Sequence, residues 1–145
     1  MMVYRIMTES DIASVIPIYI EYYNNKEEGE WTDETVYKRI HQVLTREDSY
    51  CLLLENNGSI SGFAMGYFEQ YDDCFAYELI EIVIASQLQN QGLGTEFLEE
   101  LEKRVKEKGA MLIQLQSVND EFHKHFYERL GYHDASNLVI KTKML

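Results

Sequence analysis

The sequence predicts an α/β domain built on a mixed sheet, with elements in the order β-α-α-β-β-β-α-β-α-β. Three observations predict it. Short apolar runs, several with period-two alternation, mark six stretches as strands, and apolar residues at helical spacing mark four others as helices. The Asn56-Asn57-Gly58 sequence between two apolar runs is a strong hairpin turn. With 145 residues, 46% of them apolar, and no repeat, linker or low-complexity tract, the chain is sized for one core, so a single domain over 1–145 is expected.

Val3 to Met7 reads as the first strand, and Thr8-Glu9-Ser10-Asp11 supplies N-cap chemistry for a helix directly after it. Ile12, Val15, Ile16, Tyr19, Ile20 and Tyr23 recur on one helical face. Pro17, the single proline, falls inside that pattern and predicts a kink or a late start. Asn24 to Glu30 is polar and reads as a mobile loop. A Thr32-Asp33 cap then opens a second helix carrying Val36, Ile40, Val43 and Leu44. Tyr50 to Glu55 and Ile60 to Glu69 form the hairpin. Phe75 to Ala85 is the next strand, with Ile80, Ile82 and Ile84 expected on one face and Leu79, Glu81 and Val83 on the other. Leu93, Phe97, Leu98, Leu101 and Val105 give the long third helix its buried stripe, with acids in its first half and Lys103, Arg104, Lys106 and Lys108 in its last. Gly109 stops it. Met111 to Ser117 is a strand, Asn119-Asp120 opens a helix with Phe122, Phe126 and Leu130 inward, and Leu138 to Met144 is the expected final strand.

Composition removes several function classes. No apolar run reaches the ~18 residues of a membrane span, and Met1-Met2-Val3-Tyr4-Arg5 lacks the apolar region of a signal peptide. Cys51 and Cys74 are far apart in sequence without ligand spacing, as expected of reduced thiols in a cytoplasmic protein. A net charge of −12 argues against a nucleic-acid surface. The imbalance is local: from Glu47 to Glu102 there are twelve acids and no Lys or Arg, whereas the remainder carries thirteen bases and thirteen acids. A ligand lying over the central strands is therefore expected to be cationic, unless the acids serve only as a solvated surface.

The strand ending at Ala85 runs into Gln89-Asn90-Gln91-Gly92-Leu93-Gly94 and then directly into the third helix. Glycines at a strand-to-helix turn let backbone N–H groups approach a ligand, and the helix N-terminus favours an anion there. With no cation in the adjoining strand, a phosphate bound at this turn must be held largely by backbone.

Gln89-x-x-Gly92-x-Gly94 after an Ile-x-Ile strand, together with Phe126-Tyr127-Glu128-Arg129-Leu130-Gly131-Tyr132 one helix and one strand later, resembles the two signature segments of the GNAT superfamily of acetyl-CoA-dependent N-acetyltransferases. The order of elements over essentially the whole chain resembles that family too, which implies a mostly antiparallel central sheet flanked by helices. The resemblance implies a cosubstrate, acetyl-CoA, and no metal. Its pantetheine arm would pair with the backbone of Ile82, Val83 and Ile84 as an added strand. Its pyrophosphate would sit on Gln89, Asn90, Gln91, Gly92, Leu93, Gly94 and Thr95, the N–H groups from Gln91 to Thr95 forming the cradle. Many relatives carry Arg at the position of Gln89; Gln supplies no charge.

Tyr127 occupies the position of the family's general acid, and a phenol is protonated at neutral pH. For the base that accepts the amine proton, Glu78 and Glu81 are the candidates; the count back from Gln89 favours Glu78, while many relatives use a water relay. Relatives often place an Asn seven residues before the tyrosine, where this chain has Asp120; a one-residue shift would give the cofactor contact to Asn119. Lys124 could approach a CoA phosphate, though a solvated helix lysine is the simpler reading. Trp31 is a candidate lining residue of the acceptor pocket, and packing explains it equally well. His41, His123, His125 and His133 show no ligand spacing for a metal.

The expected activity is acetyl transfer by direct attack of a primary amine belonging to a cationic acceptor: a polyamine, an aminoglycoside, or a lysine or N-terminal amine. The competing expectation is a non-catalytic acyl-CoA-binding or regulatory domain of the same fold. Neither nucleic acid nor membrane is an expected partner, and many relatives form homodimers.

Overall fold

The computed structural model describes residues 1–145. Five strands, β1 (Met2–Ile6), β2 (Leu52–Asn56), β3 (Ser59–Gln70), β4 (Phe75–Ile84) and β5 (Leu112–Leu115), form one sheet in the order β1-β2-β3-β4-β5. Neighbours are antiparallel except β4 and β5, which are parallel. The helices are α1 (Ile12–Lys26), α2 (Asp33–Leu44), α3 (Leu93–Glu107) and α4 (Glu121–Arg129). No helix is long and apolar enough to cross a membrane.

The sheet separates two cores. On one face α1 and α2 cover Leu53, Phe63, Met65 and Val83 with Ile12, Val15, Tyr19, Val36, Ile40 and Val43. On the other face α3 lays Phe97, Leu98, Leu101 and Val105 over Leu52, Leu54, Ala64, Tyr77, Leu79 and Ile84. Each of these large side chains contributes roughly 1.5–3 kcal/mol by leaving water, so the helical stripes read from sequence are what fix the layers. Tyr77 is buried without penalty to its hydroxyl, which donates to the Tyr50 carbonyl at 2.6 Å.

Local chemistry sets the element ends. Thr32 caps α2 by accepting from the Thr35 N–H at 3.2 Å, and Asp120 caps α4 by accepting from the His123 N–H at 2.8 Å. Ahead of α1, Asp11 accepts from the Thr8 N–H and takes both terminal nitrogens of Arg5 at 2.8 and 2.9 Å. Pro17 lies inside α1, and the helix continues to Lys26, through the first residues of the segment expected to be a loop.

Two expectations about strands are corrected. First, β4 does not alternate throughout. Met65 opposes Glu81, but the next residue, Gly66, opposes Leu79, so Ile80 is the extra residue of a bulge. Ile80 therefore packs toward α1 and α2 with Val83, while Leu79, Ile82 and Ile84 pack toward α3. Gly66 is required beside this bulge: a Cβ there would lie 2.3 Å from the Glu78 carbonyl oxygen and 2.5 Å from the Tyr77 ring.

Second, Leu138 to Met144 forms no strand. Residues 133–145 are all exposed and without regular structure. The chain is pinned just before them, where the Tyr132 N–H bonds the Tyr127 carbonyl at 3.0 Å and the Tyr132 hydroxyl donates to Glu102 on α3 at 2.7 Å. Beyond that point the segment meets no strand of its own chain, and a lone strand has nothing to satisfy its backbone.

Candidate active site

β5 is short, and it pairs only with Ala76 to Leu79 of β4. From Ile80 onward the outer edge of β4 has no neighbouring strand. Residues 116–118 diverge from it, and a cleft of about 1010 Å³ opens between them, within the usual range of ligand sites. Leu79 to Ile84 line it from β4, and Leu115 to Val118 from the opposite side. The backbone of Ile82, Val83 and Ile84 thus presents its free edge to the cleft, as an added strand would need.

One end of the cleft is the turn into α3. Gln89, Asn90, Gly92, Gly94 and Thr95 line it, whereas Gln91 and Leu93 do not. Asn90 and Gly92 both have positive φ, 64° and 79°, which curls the turn so that Gly92 is the N-cap of α3. The first N–H groups of the helix then face outward without carbonyl partners. The two glycines have different tasks. Gly92 supplies a left-handed backbone. Gly94 sits against Phe126, where an added Cβ would lie 3.6 Å from the ring, ordinary contact. The Gln89 side chain turns inward instead, donating to the Ile84 carbonyl at 2.9 Å and closing the base of the turn. Arg129, on α4, brings a cation to the cleft that strand and turn lack.

Tyr127 reaches the cleft from α4, packed edge-on against Phe126 and Tyr132 with ring centroids 5.0 and 5.6 Å away. Burial, and then the Glu27 carboxylate, push its phenol up to about 12. It is therefore protonated throughout the neutral range and can act only as a donor there.

The other end of the cleft holds Glu81. The Glu81 side chain is 9% exposed and faces Arg39 of α2 at 3.7 Å, beyond hydrogen-bonding distance. Glu81 Oε2, Arg39 Nε and the Tyr19 hydroxyl are all buried without a hydrogen-bond partner. Burial raises the Glu81 pKa; Tyr19, Arg39 and Tyr23 pull the other way and do not cancel it. Tyr22 and Tyr23 of α1, Glu27 at the C-cap of that helix, and His123 of α4 complete this end. The His123 ring lies between Asp120 Oδ1 at 2.8 Å and Glu27 Oε1 at 3.3 Å.

Several sequence expectations fall elsewhere. Glu78 is not in the cleft lining, and its carboxylate already accepts from Gln114 Nε2 at 2.7 Å and the Tyr71 hydroxyl at 2.9 Å. Trp31 packs edge-on against Tyr19 at 5.0 Å, and its backbone holds the Asn24 amide through two 2.9 Å bonds. Asn119 and Lys124 are exposed and outside the lining, and the Asp120 carboxylate is occupied as a cap. No cluster of three or more His, Cys, Asp or Glu side chains is arranged for a metal ion. Sequence reasoning missed Arg39, Tyr22, Tyr23, Glu27 and Arg129. The first three lie on helices whose apolar stripes drew attention to their buried faces, and Glu27 caps the first of those helices; only the acid-rich strands facing them hinted at a role for Arg39.

Residues 12–132 match the acetyltransferase (GNAT) family. Over 86 residues, 59% of this chain, the sequence is 35% identical to the uncharacterized protein YxbD of Bacillus subtilis (strain 168); the match spans 50% of that protein, about half its length. The crystal structure of a transcriptional regulator from Bacillus halodurans C-125 shares the fold with a TM-score of 0.80, at 19% identity over 99% of this chain and 100% of that one. A predicted acetyltransferase from Clostridium acetobutylicum, solved with acetyl-CoA, gives 0.76 at 18% identity over 98% and 96%. At such identities these two structures establish a common fold. With both signature segments in place on that fold, the chain belongs to the acetyltransferase (GNAT) family.

Proposed function

We propose that the 145-residue chain acts as one N-acetyltransferase domain, moving the acetyl group of acetyl-CoA to the primary amine of a small cationic acceptor. The observation that carries this reading is a single cleft with a phosphate-type turn at one end, a buried carboxylate, Glu81, whose Oε2 accepts no hydrogen bond, at the other, and the Tyr127 phenol opening into it. The free edge of Ile82–Ile84 takes the pantetheine arm, and the N–H groups at the start of α3, with Arg129, take the pyrophosphate.

Glu81 replaces Glu78 as base in this reading, because it lines the cleft, its Oε2 accepts no hydrogen bond, and its raised pKa brings it closer to neutrality. It attracts the ammonium group and accepts the proton that the amine must lose. The amine nitrogen then attacks the thioester carbonyl, an N–C bond forms, the C–S bond breaks, the departing sulfur takes a proton from the Tyr127 hydroxyl, and the second proton shed by the nitrogen restores that hydroxyl. The acid-rich strands favour a cationic acceptor by the same field that leaves Glu81 wanting a donor.

The test is thiol release from acetyl-CoA across a panel of polyamines, aminoglycosides and lysine peptides, with CoA binding measured separately. Amine-dependent release is expected. Measurable CoA binding without amine-dependent release by any class would instead favour a non-catalytic acyl-CoA-binding domain.

A further inference from the structure

Arg39 is the one arginine or lysine that pairs with Glu81, and the pairing is loose. Its Nε lies 3.7 Å from Glu81 Oε2, so the charges attract with no hydrogen bond to lock them. Arg5 shows what a locked pair looks like in the same chain: two of its nitrogens donate to Asp11 at 2.8 and 2.9 Å. Arg39 also lines two spaces. One is the cleft; the other, behind it, is a hollow of about 330 Å³ shared with Gln42, Arg46 and Tyr67. No carboxylate lines that hollow, and Arg46 is parked over the Tyr67 ring at 3.7 Å. Glu81 is therefore the anion within reach of Arg39. The other polar groups packed around Glu81 are the phenols of Tyr19 and Tyr23 on α1. Burial, and then Glu81 itself, push both phenols far above the neutral range, so neither changes charge there. Glu27 and His123 are the remaining ionisable groups at this end of the cleft.

We propose that Arg39 is the resident counter-ion of Glu81: it holds the carboxylate ionised before the acceptor arrives, then yields it to the acceptor's ammonium group. The inference rests on the reading of Glu81 as base. A guanidinium at 3.7 Å offsets part of the cost of a buried negative charge without occupying Oε2, which stays open to a donor from the cleft. The incoming ammonium makes the hydrogen bond that Arg39 does not make, and the hollow behind Arg39 gives its side chain room to withdraw. Arg39 meets no reacting atom in this scheme. It is a positioning residue, acting through the charge of Glu81.

The test joins a carboxyl titration by NMR to rate profiles on the full chain. With glutamate carboxyls labelled, the Glu81 signal is the one missing from Glu81→Gln. In Arg39→Met the lost positive charge disfavours the ionised form, so that signal should titrate about one pH unit higher than in the wild type. Arg39→Lys should restore it, and His123→Gln should leave it in place. The acid limb of the amine-dependent rate should move up with the carboxyl, lowering kcat/KM on that limb about tenfold. Above the limb the rate should recover, and the KM for the amine should fall roughly threefold, because ammonium no longer competes with a guanidinium. Should Arg39→Met fail to fold, Arg39→Gln carries the same measurements. An unmoved Glu81 titration overturns the proposal. So does a loss of rate that is equal at every pH, the mark of a residue that only seats α2, or a shift produced by His123→Gln instead. A wild-type rate with no acid limb removes Glu81 as base, and the titration still decides whether Arg39 is its counter-ion.

Discussion

Glu78 and Glu81 stand three residues apart on β4 and have opposite surroundings. Where β4 is still paired with β5, Glu78 finds Gln114 on the neighbouring strand and Tyr71 in the adjoining loop, and both donate to its Oε1. Past the bulge β5 has gone, and Glu81 finds no hydrogen-bond partner for Oε2 and Arg39 only at 3.7 Å. A buried carboxylate oxygen that accepts no hydrogen bond costs on the order of 1–3 kcal/mol or more, and in the proposed reaction the incoming ammonium group supplies the donor. One strand thus contains a glutamate tied into side-chain hydrogen bonds and another that opens into the cleft. Loss of the fifth strand separates them.

The sharpest way to break this contrast is to neutralise each in turn. Glu81→Gln should lower kcat/KM for the amine by roughly 10³-fold, since it removes both base and counter-charge. The pH profile adds a sign. The base must be deprotonated, so the wild-type rate falls as pH drops through the raised pKa of Glu81, and that limb should vanish in the variant. An unchanged profile would return the role to a water relay.

Tyr127→Phe should cost about 10²-fold in kcat with little change in acetyl-CoA affinity, because the phenol is needed only when the sulfur leaves. Its acid must be protonated, so the wild-type rate should hold until pH approaches about 12. A kcat within twofold of wild type would remove the acid role.

The turn offers a smaller contrast of the same kind. Gly92→Ala forces a side chain into positive φ at roughly 1–2 kcal/mol and should raise the KM for acetyl-CoA severalfold. Gly94→Ala meets only Phe126 at contact distance and should change that KM less than about twofold. Equal effects would mean that close approach to the ligand, and not backbone handedness, constrains both.

Much of the fold was legible because apolar periodicity and caps are local signals. The stripe Phe97-Leu98-Leu101-Val105 and the Thr32 cap need no tertiary knowledge. The phosphate-type turn and Tyr127 were legible for the same reason, as contiguous motifs. The surroundings of Glu81, the proposed base, were not, because the side a strand residue faces depends on register, and a single bulge residue, Ile80, inverts the alternation after it. Nor could alternation reveal Arg39 and Tyr23, which reach Glu81 from helices more than forty residues away in sequence. The final strand shows another limit. Residues 138–144 have the pattern of a strand, but a pattern does not supply the neighbouring edge a strand must pair with.

The smallest effect belongs to Glu78, and it tests the comparison most directly. Glu78→Gln keeps a carbonyl oxygen that can still accept from the Tyr71 hydroxyl and Gln114 Nε2. Only charge is lost, and the charge-assisted part of two exposed or half-buried bonds amounts to less than about 1 kcal/mol. The variant should therefore retain kcat and KM within about twofold and show at most a slight decrease in Tm. A base in that position could not survive the change, since an amide accepts no proton at neutral pH. If Glu78→Gln proved as damaging as Glu81→Gln while still folded, the cleft would have to extend past the bulge to the paired end of β4, and the division between the two glutamates would fail.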